Sequence, residues 1–293
     1  MKQERKNLFY TFLKIGITVL LLYLVFTKIP FTEIWETLKR VNTFYLLIGI
    51  VCFILSQWIS ADRLLVLFTS SSFYISPKSN YKLYLIGMFY NFFIPGGIGG
   101  DAYKVFLLHK TFKWSTKKLT ASLFVDRFMG LTAIGILILI YALIIPIFEE
   151  TNIIAGIILL LVLGITASYI FIQRLFPAFL SDYVKTLVQS IAIQLLQCIC
   201  ILSLLASITK VESYSLYIFV FLISSVLSIF SFSGIGVREM IFYQASSMLQ
   251  FDTVTAVSIG VLFSAITALV SLFGIIFHFK KANSYLKLRD PLH

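Results

Sequence analysis

The fold is decided by a glycine-rich break in an apolar stretch of the sequence, Pro95-Gly96-Gly97-Ile98-Gly99-Gly100-Asp101. The apolar segments beside it, Tyr81–Ile94 and Ala102–Leu108, are 14 and 7 residues long. Neither segment could cross a bilayer, because a transmembrane helix needs about 20 residues. Irregular backbone at membrane depth is tolerated only where it is buried in protein or lines a cavity. The break therefore predicts a re-entrant helical hairpin over about residues 81–108.

A second break of the same kind lies 137 residues later, at Ser231-Phe232-Ser233-Gly234-Ile235-Gly236-Val237-Arg238-Glu239. It separates Leu216–Phe230 from Met240–Leu249, and it predicts a second re-entrant hairpin over about residues 216–249.

The composition excludes a soluble protein. Apolar residues make up 59% of the 293 residues and charged residues only 13%, whereas soluble domains average about 45–50% apolar and 25% charged residues. Outside the hairpins, six stretches are long enough to be full transmembrane helices. They are Leu8–Phe26, Phe44–Phe68, Ala121–Ile147, Ile153–Phe171, Leu187–Ile208 and Val254–Phe279. The sequence thus predicts an all-α integral membrane protein with a single membrane domain, residues 1–293.

Basic residues predict the orientation of this domain. The net charge is +11, and most Lys and Arg residues fall within five regions of the chain. These are Lys2–Lys6, Arg63–Lys82, Lys104–Lys118, Arg174–Lys185 and Lys280–Arg289. Because cytoplasmic connectors carry the excess of basic residues, both termini are predicted to be cytoplasmic. The alternative of eight simple crossings would put the lysine-rich connector Lys104–Lys118 outside.

This topology divides the chain into an inverted repeat, residues 1–148 and 149–293. Each half consists of two spans, a hairpin and a span, and the halves have opposite orientation. The hairpin tips align with Gly97, Gly99 and Asp101 over Gly234, Gly236 and Arg238. Inverted repeats with broken helices are typical of alternating-access transporters. The alternative is that so short a Gly-Ile-Gly match arises by chance in apolar sequence.

Polar groups near the two tips are the candidate substrate-binding residues. Charges inside a membrane are costly and usually mark a site or pair with one another, and helix N-termini rich in glycine bind anions. The candidates are Asn91, Gly97, Gly99, Gly100, Asp101, Lys104, Asp126, Arg127, Ser231, Ser233, Gly234, Gly236, Arg238 and Glu239. Arg238 is expected to hold a phosphate through charge-assisted hydrogen bonds.

A structural role is the alternative for several of these residues. Asp101, Arg238 and Glu239 can cap and cross-pair the hairpins, and Asp126 can form a salt bridge while Arg127 reaches headgroups at the surface. The histidines are scattered and the cysteines have no metal-ligand spacing. The sequence therefore predicts no metal site, no cofactor and no catalytic residue.

Three motifs in this order resemble those of the lysylphosphatidylglycerol synthase transmembrane-region (flippase-like) family: Asn91–Asp101, Asp126-Arg127-x-x-Gly130 and Ser231–Glu239. The resemblance covers nearly the whole chain and implies a lipid translocase fold. Its best-known members move lysyl-phosphatidylglycerol across the bacterial inner membrane, and others are associated with glycolipid or polyprenyl-linked sugar pathways. In bifunctional members a soluble aminoacyl-transfer domain follows, whereas this sequence ends at His293, and Lys104 replaces an expected arginine. Aminoacyl-lipid synthesis is therefore not expected.

The leading hypothesis is a multi-pass protein of the plasma (inner) membrane of a prokaryote. It would move an anionic or zwitterionic phospholipid, or a lipid-linked headgroup, between leaflets without catalysing a reaction. The alternatives are an intramembrane lipid or glycolipid transferase and a membrane partner of a separate lipid-modifying enzyme. A homo-oligomer is left open. Nucleic acid is not expected as a partner, because the basic excess suits anionic lipid.

Overall fold

The structure is a computed structural model that describes residue 23 and residues 31–93, 99–145, 151–208, 214–228, 236–278 and 286–289. The α-helices in this part of the chain are α1 (Phe31–Lys39), α2 (Thr43–Ser70), α3 (Pro77–Phe93), α4 (Gly99–Phe112), α5 (Thr116–Ala142), α6 (Thr151–Leu175), α7 (Tyr183–Ile208), α8 (Tyr214–Leu227), α9 (Val237–Leu249), α10 (Thr253–Leu272) and α11 (Ile275–His278). A 3₁₀-helix, Pro177–Asp182, joins α6 and α7. Pairing between strands is limited, within the described residues, to one bridge between Ile75 and Leu288. The all-α prediction is confirmed for these residues.

Five described helices are long and apolar enough to cross a membrane: α2, α5, α6, α7 and α10. They correspond to five of the six predicted spans. The sixth, Leu8–Phe26, lies outside the described residues except for Tyr23. The predicted span Ala121–Ile147 is shifted, since α5 begins at Thr116 and ends at Ala142. The predicted span Val254–Phe279 is confirmed as the candidate span Thr253–Phe277, within which α10 ends at Leu272 and α11 begins at Ile275.

Short polar residues fix where these helices begin. The Oγ atom of Ser115 accepts a hydrogen bond from the backbone N–H of Lys118, which places the start of α5 ahead of the apolar run used to predict it. Asp252 caps α10 in the same way, accepting from the N–H of Thr255 at 2.8 Å. Such caps satisfy N–H groups that have no partner within the helix.

The glycine-rich breaks separate helices that are too short to cross a bilayer by themselves. The helices α3 and α4 have 17 and 14 residues, and α8 and α9 have 14 and 13. The breaks themselves, residues 94–98 and 229–235, lie outside the described residues. The break in each segment and its re-entrant path through the membrane therefore stay predictions.

The described residues form two compact units. The first contains the residues up to Phe53, residues 91–93 and the residues from Gln197 to Val270. Its core includes Ile34 and Val257, which are fully buried. In this unit α8 and α9 pack side by side. The predicted repeat halves 1–148 and 149–293 stay a prediction.

The second unit contains the described residues of 54–90, 98–196 and 271–293. One core cluster joins α2 to α3, α4 and α5 through Phe68, Leu83, Leu108 and Leu119. A further cluster joins α5 to α6 and α7. The outward surface of α6 is apolar, with Leu159 and Leu160 more than half exposed. An apolar outward surface of this kind is expected of a helix that faces lipid.

Gly274 lies between α10 and α11 and packs directly on α3. A Cβ atom added there would clash with the backbone carbonyl of Leu85 and lie 2.7 Å from the Cβ of Phe89. We expect Gly274→Ala to lower the free energy of unfolding by about 1–3 kcal/mol, since the backbones must separate. The control is Gly164→Ala in α6, where an added Cβ meets nothing within 4 Å. Thermal unfolding in detergent would compare the two variants. Equal unfolding temperatures would show that the contact between Gly274 and α3 can relax to admit a Cβ atom.

Candidate functional site

Asp101 is the centre of a buried ion cluster in the second unit. Its Oδ1 accepts a hydrogen bond from the Nζ of Lys104 at 3.2 Å, and its Oδ2 accepts one from the Nε of Arg127 at 2.9 Å. Asp101 lies in the first turn of α4, where a carboxylate is favoured by the helix dipole. Lys104 lies one turn later, and Arg127 is on α5. The cluster thus brings together three of the residues predicted from sequence.

Lys104 is held in place from two sides. Its Nζ lies over the ring of Tyr84, 4.8 Å from the centroid. Gly87, one turn later on α3, leaves the space that the lysine side chain fills, since an added Cβ there would clash with the lysine Cε. The side chain of Lys104 is buried, which agrees with its place among the candidate intramembrane charges and separates it from the exposed bases of the lysine-rich connector. The exposed bases of that connector are Lys110, Lys113, Lys117 and Lys118.

A second ion pair in the same unit involves an arginine that the sequence-based site did not include. The Nε of Arg63 donates to the Oδ1 of Asp126 at 2.9 Å, and its Nη1 donates to the Oγ of Ser190 at 2.7 Å. Arg63 was grouped with the cytoplasmic bases, but it lies inside α2 and is 6% exposed. The proposed salt-bridge role of Asp126 is confirmed. The sequence signal that could have identified Arg63 as a buried charge is its position inside an apolar helix, seven residues before α2 ends at Ser70.

Tyr84 connects the two ion pairs. Its hydroxyl donates to the Oε1 of Gln57 at 3.4 Å, and it is within electrostatic range of Asp126, Arg127 and Arg63. The charged side chains around it comprise three cations and two carboxylates, a net charge of +1. Arg127 is the accessible member, because 58% of its side chain is exposed. The excess positive charge suits an anionic ligand.

Each named residue of the motif Asp126-Arg127-x-x-Gly130 makes a specific contact in the structure. Asp126 binds Arg63, and Arg127 binds Asp101. Gly130 faces the guanidinium of Arg63, where an added Cβ would lie 3.6 Å from Nη1 and 3.8 Å from Nη2. The motif therefore joins α5 to two buried ion pairs.

The first unit holds a different polar cluster at the start of α9. Gly236 has a φ of 83°, a conformation that favours glycine. The Oε2 of Glu239 accepts the N–H of Gly236 at 2.6 Å, and its Oε1 accepts from the hydroxyl of Ser264 at 2.9 Å. Glu239 therefore caps the helix, as the structural alternative for this residue required.

Arg238 lies beside this cap and is only partly satisfied. Its Nη1 donates to the Oγ of Ser264 at 3.2 Å, and its guanidinium carbon is 4.6 Å from the ring centroid of Phe263. Arg238 is 7% exposed, and its buried Nε has no hydrogen-bond partner among the described residues. Arg238 and Glu239 are neighbours on the helix and point about 100° apart. Ser264 joins them, because its Oγ accepts a hydrogen bond from Arg238 and its hydroxyl donates one to Glu239. A buried guanidinium with an unused N–H can bind an anion.

An apolar groove of about 300 Å³ lies between α8 and α9 in the same unit. It extends along α9 from Met240 to Met248, and Phe219 and Ile223 line its opposite side. Arg238 is not among its lining residues, since Met240 and Arg238 are two residues apart on α9 and point about 200° apart.

The remaining predicted site residues are more dispersed. Asn91 lies half-buried in the last turn of α3, and Gly99 and Gly100 are the first residues of α4. Gly97, Ser231, Ser233 and Gly234 lie outside the described residues, so their predicted roles are not tested. Besides Arg63, the structure adds Ser264, Phe263, Tyr84 and Gly87. The sequence carried no signal for these four, because each is an ordinary residue within an apolar helix.

A sequence model of the family described as "Lysylphosphatidylglycerol synthase TM region" matches residues 11–274. The chain belongs to this family. The match spans both ion clusters, so the motifs at Asp101, Asp126 and Arg238 lie within the family's own region, as the resemblance predicted. No curated protein matched the chain. Membership makes this a membrane protein related to lipid handling.

Proposed function

We propose that the chain moves a phospholipid, or a lipid-linked headgroup, between the two leaflets by alternating access. The observation that carries the proposal is Arg238, a buried guanidinium whose Nε has no hydrogen-bond partner among the described residues. Burying such a charge costs about 2.5–3.5 kcal/mol on insertion scales. A lipid phosphate would offset this cost through charge-assisted hydrogen bonds.

The cluster around Asp101 supports the same ligand chemistry. Its net charge of +1 includes Arg127, whose side chain is 58% exposed and whose Nη groups could bind a phosphate while Nε stays on Asp101. The second unit therefore offers a cation-rich place for a headgroup, and the first unit offers the buried cation Arg238. The apolar groove between α8 and α9 would take an acyl chain of the lipid.

The proposed architecture is six transmembrane helices and two re-entrant hairpins in an inverted-topology repeat. The short pairs α3–α4 and α8–α9 support it, since four helices of 13–17 residues need a partner to bury their broken ends. We place the protein in the inner membrane of a bacterium, with both termini in the cytoplasm. The proposal includes two protein partners for the chain. One is a separate lipid-modifying enzyme that supplies the substrate, and the other is a second copy of the chain.

The orientation can be tested with single cysteines in a variant whose Cys52, Cys198 and Cys200 are changed to serine. We expect Glu36→Cys in α1 to react with an impermeant thiol reagent outside intact cells. Lys113→Cys should react only after permeabilisation, because basic connectors stay inside. Both positions are exposed, so access alone does not distinguish them. Labelling of Lys113→Cys in intact cells would favour eight simple crossings.

A transferase is the competing function, and the carboxylates argue against it. Both oxygens of Asp101 and both oxygens of Glu239 accept hydrogen bonds, and Asp126 is bound to Arg63. Carboxylates committed in this way are poor general bases. The geometry therefore favours binding and release of an unchanged lipid.

The test is a flux assay in vesicles of defined phospholipids that contain the purified protein. We expect labelled phospholipid to exchange between leaflets faster than in protein-free vesicles, and its mass to stay unchanged. Exchange at the protein-free rate, with formation of a new lipid that needs a divalent metal, would instead support the transferase.

Gly87 offers a prediction that does not alter any charge. We expect Gly87→Ala to reduce flux about tenfold, because the displaced lysine loses part of a charge-assisted bond to Asp101. The matched control is Gly135→Ala in α5, where an added Cβ meets nothing within 4 Å. Equal flux in the two variants at equal protein density would show that the position of Lys104 is unimportant.

A further inference from the structure

Helix α1 is amphipathic, and its apolar side packs on α9 and α10 within the first unit. Ile34 is fully buried and forms a core cluster with Val257 of α10. Leu38, one turn later on α1, joins this cluster, as does Tyr243 of α9. The other side of α1 is exposed and charged, with Glu33, Glu36 and Lys39. A helix of this pattern lies at a boundary between packed protein and water.

The side of α10 that α1 covers leads to Arg238. Val257 and Val261 lie on the same side of α10 as Ser264, because residues three and four positions apart share a helix face. Ser264 binds the guanidinium of Arg238, and Val261 packs against the cluster around Ile34. At 1.5 Å per residue, Val257 is about 10 Å along α10 from Ser264. Helix α1 therefore lies over one end of the crevice between α9 and α10 that contains the buried cation.

This crevice is closed in the structure. At Gly260 of α10 an added Cβ would lie 3.6 Å from the Cα of Glu239 and 3.6 Å from a ring carbon of Phe242. Next to this contact, Tyr243 and Val261 pack against the cluster that α1 completes. A headgroup that approaches Arg238 from this side would have to displace α1.

The short length of α1 and its attachment to α2 suit a hinged movement. The helix has nine residues, fewer than an isolated helix needs to be stable in water, so it depends on docking. Residues 40–42 join it to α2. The N–H of Asn42 donates to the carbonyl of Ser207 at 2.8 Å, and its Oδ1 accepts from the N–H of Phe44 at 3.0 Å. Asn42 is thus a fixed point about which α1 can swing.

A polar cavity beside α1 gives room for this movement. It has a volume of about 480 Å³ and is lined by Thr32 and Glu36 of α1 and by Asp252 and Thr255 at the start of α10, among others. On this side α1 faces a polar space rather than packed side chains. Its docking therefore depends on the apolar cluster around Ile34.

We propose that α1 is a lid over the crevice between α9 and α10. In the proposed orientation α1 lies on the outer side of the membrane, so the structure shows the lid closed toward the outside. The lid swings about Asn42 to connect Arg238 with the outer leaflet, and it closes again when Ile34 docks on Val257. This inference rests on the proposed function, because it names the element that controls access to the Arg238 site.

The experiment cross-links the lid to α10 in the variant without native cysteines. Ile34→Cys with Val257→Cys is treated in detergent with a bifunctional methanethiosulfonate reagent of short or long spacer, and the full chain is then reconstituted. We expect the short spacer to reduce lipid flux to the rate of protein-free vesicles and a reductant to restore it. The long spacer lets α1 swing, so it should leave flux unchanged. The controls are the two single-cysteine variants, treated in the same way.

The closed lid should also protect the residues beneath it. We expect Val261→Cys to react slowly with an impermeant thiol reagent outside intact cells. Ile34→Ala should speed this reaction at least about tenfold, because truncation of a buried isoleucine weakens the packing that holds α1 closed. The control is Trp35→Ala, since Trp35 is the next residue on α1 and is 49% exposed. Equal labelling rates in Ile34→Ala and Trp35→Ala would contradict the lid.

The lid and the translocase fail in different ways. If wild-type protein moves lipid and the short cross-link leaves flux unchanged, the lid is wrong and the translocase stands. Loss of flux with both spacers, or failure of the two cysteines to cross-link, also overturns the lid. If wild-type protein moves no lipid but the labelling of Val261→Cys still rises in Ile34→Ala, the lid stands and transport is wrong.

Discussion

Replacing Arg238 by alanine is expected to abolish lipid flux in reconstituted vesicles. Among the described residues the guanidinium contacts Ser264 and Phe263, its Nε has no hydrogen-bond partner, and Glu239 is held one hydrogen bond further away through Ser264, so a phosphate would add a direct counter-charge. Hydrogen bonds to charged groups contribute about 1.5–3 kcal/mol each, which corresponds to roughly a ten- to hundredfold loss of binding. Arg238→Gln should lose flux similarly. Arg238→Lys should retain part of it, because it keeps the charge without the planar fork.

The matched control is Arg174→Ala, at an exposed arginine in the last turn of α6. Its flux should equal that of wild type. A further variant, Ser264→Ala, removes the link between Arg238 and Glu239 while leaving the cation in place, and it should lower flux less than Arg238→Ala. Wild-type flux in Arg238→Ala at equal protein density would show that this arginine is structural.

The second large effect is expected at Asp101. Asp101→Asn leaves Lys104 buried without its counter-charge and removes the carboxylate that positions Arg127. Removing one partner of a buried pair costs about 3–5 kcal/mol. We therefore expect lower thermal stability in detergent together with a loss of flux of at least about tenfold.

A double variant separates stability from transport. Asp101→Asn with Lys104→Gln removes both buried charges, so the thermal stability should largely return while flux stays low. Asp62→Asn is the control, since Asp62 is an exposed carboxyl next to Arg63 on α2. Recovery of flux in the double variant would mean that charge balance, and not the carboxylate itself, is what transport requires.

Much of the fold could be predicted because its signals are local in the chain. Lipid offers no hydrogen bonds to the backbone, so long apolar runs must be helices. For this reason α2, α6 and α7 lie where the sequence indicates. The largest error is at α5, where Ser115 acts through a cap that hydropathy does not register.

The candidate site was predictable only in part. Asp101, Asp126 and Arg238 stand out because charges are rare in apolar sequence, and all three are buried in polar clusters. Arg63 has the same character, but its position near the end of an apolar run resembles that of a base at the cytoplasmic surface. The sequence also could not distinguish capping from binding. In the structure Glu239 caps its helix, whereas the Nε of its neighbour Arg238 has no partner in the part of the chain that the structure describes.

By itself the sequence determined the protein class, the position of five spans, the two glycine-rich breaks and the family, because each depends on composition or order along one segment. Only the tertiary structure decided which charges meet. Arg63 reaches Ser190 across 127 residues, and Arg238 reaches Ser264 across 26. Gly87 matters because Lys104 fills the space beside it. A buried charge takes its partner from whichever helix packs against it, and that neighbour is fixed by the packing of the helices rather than by any pattern along the chain.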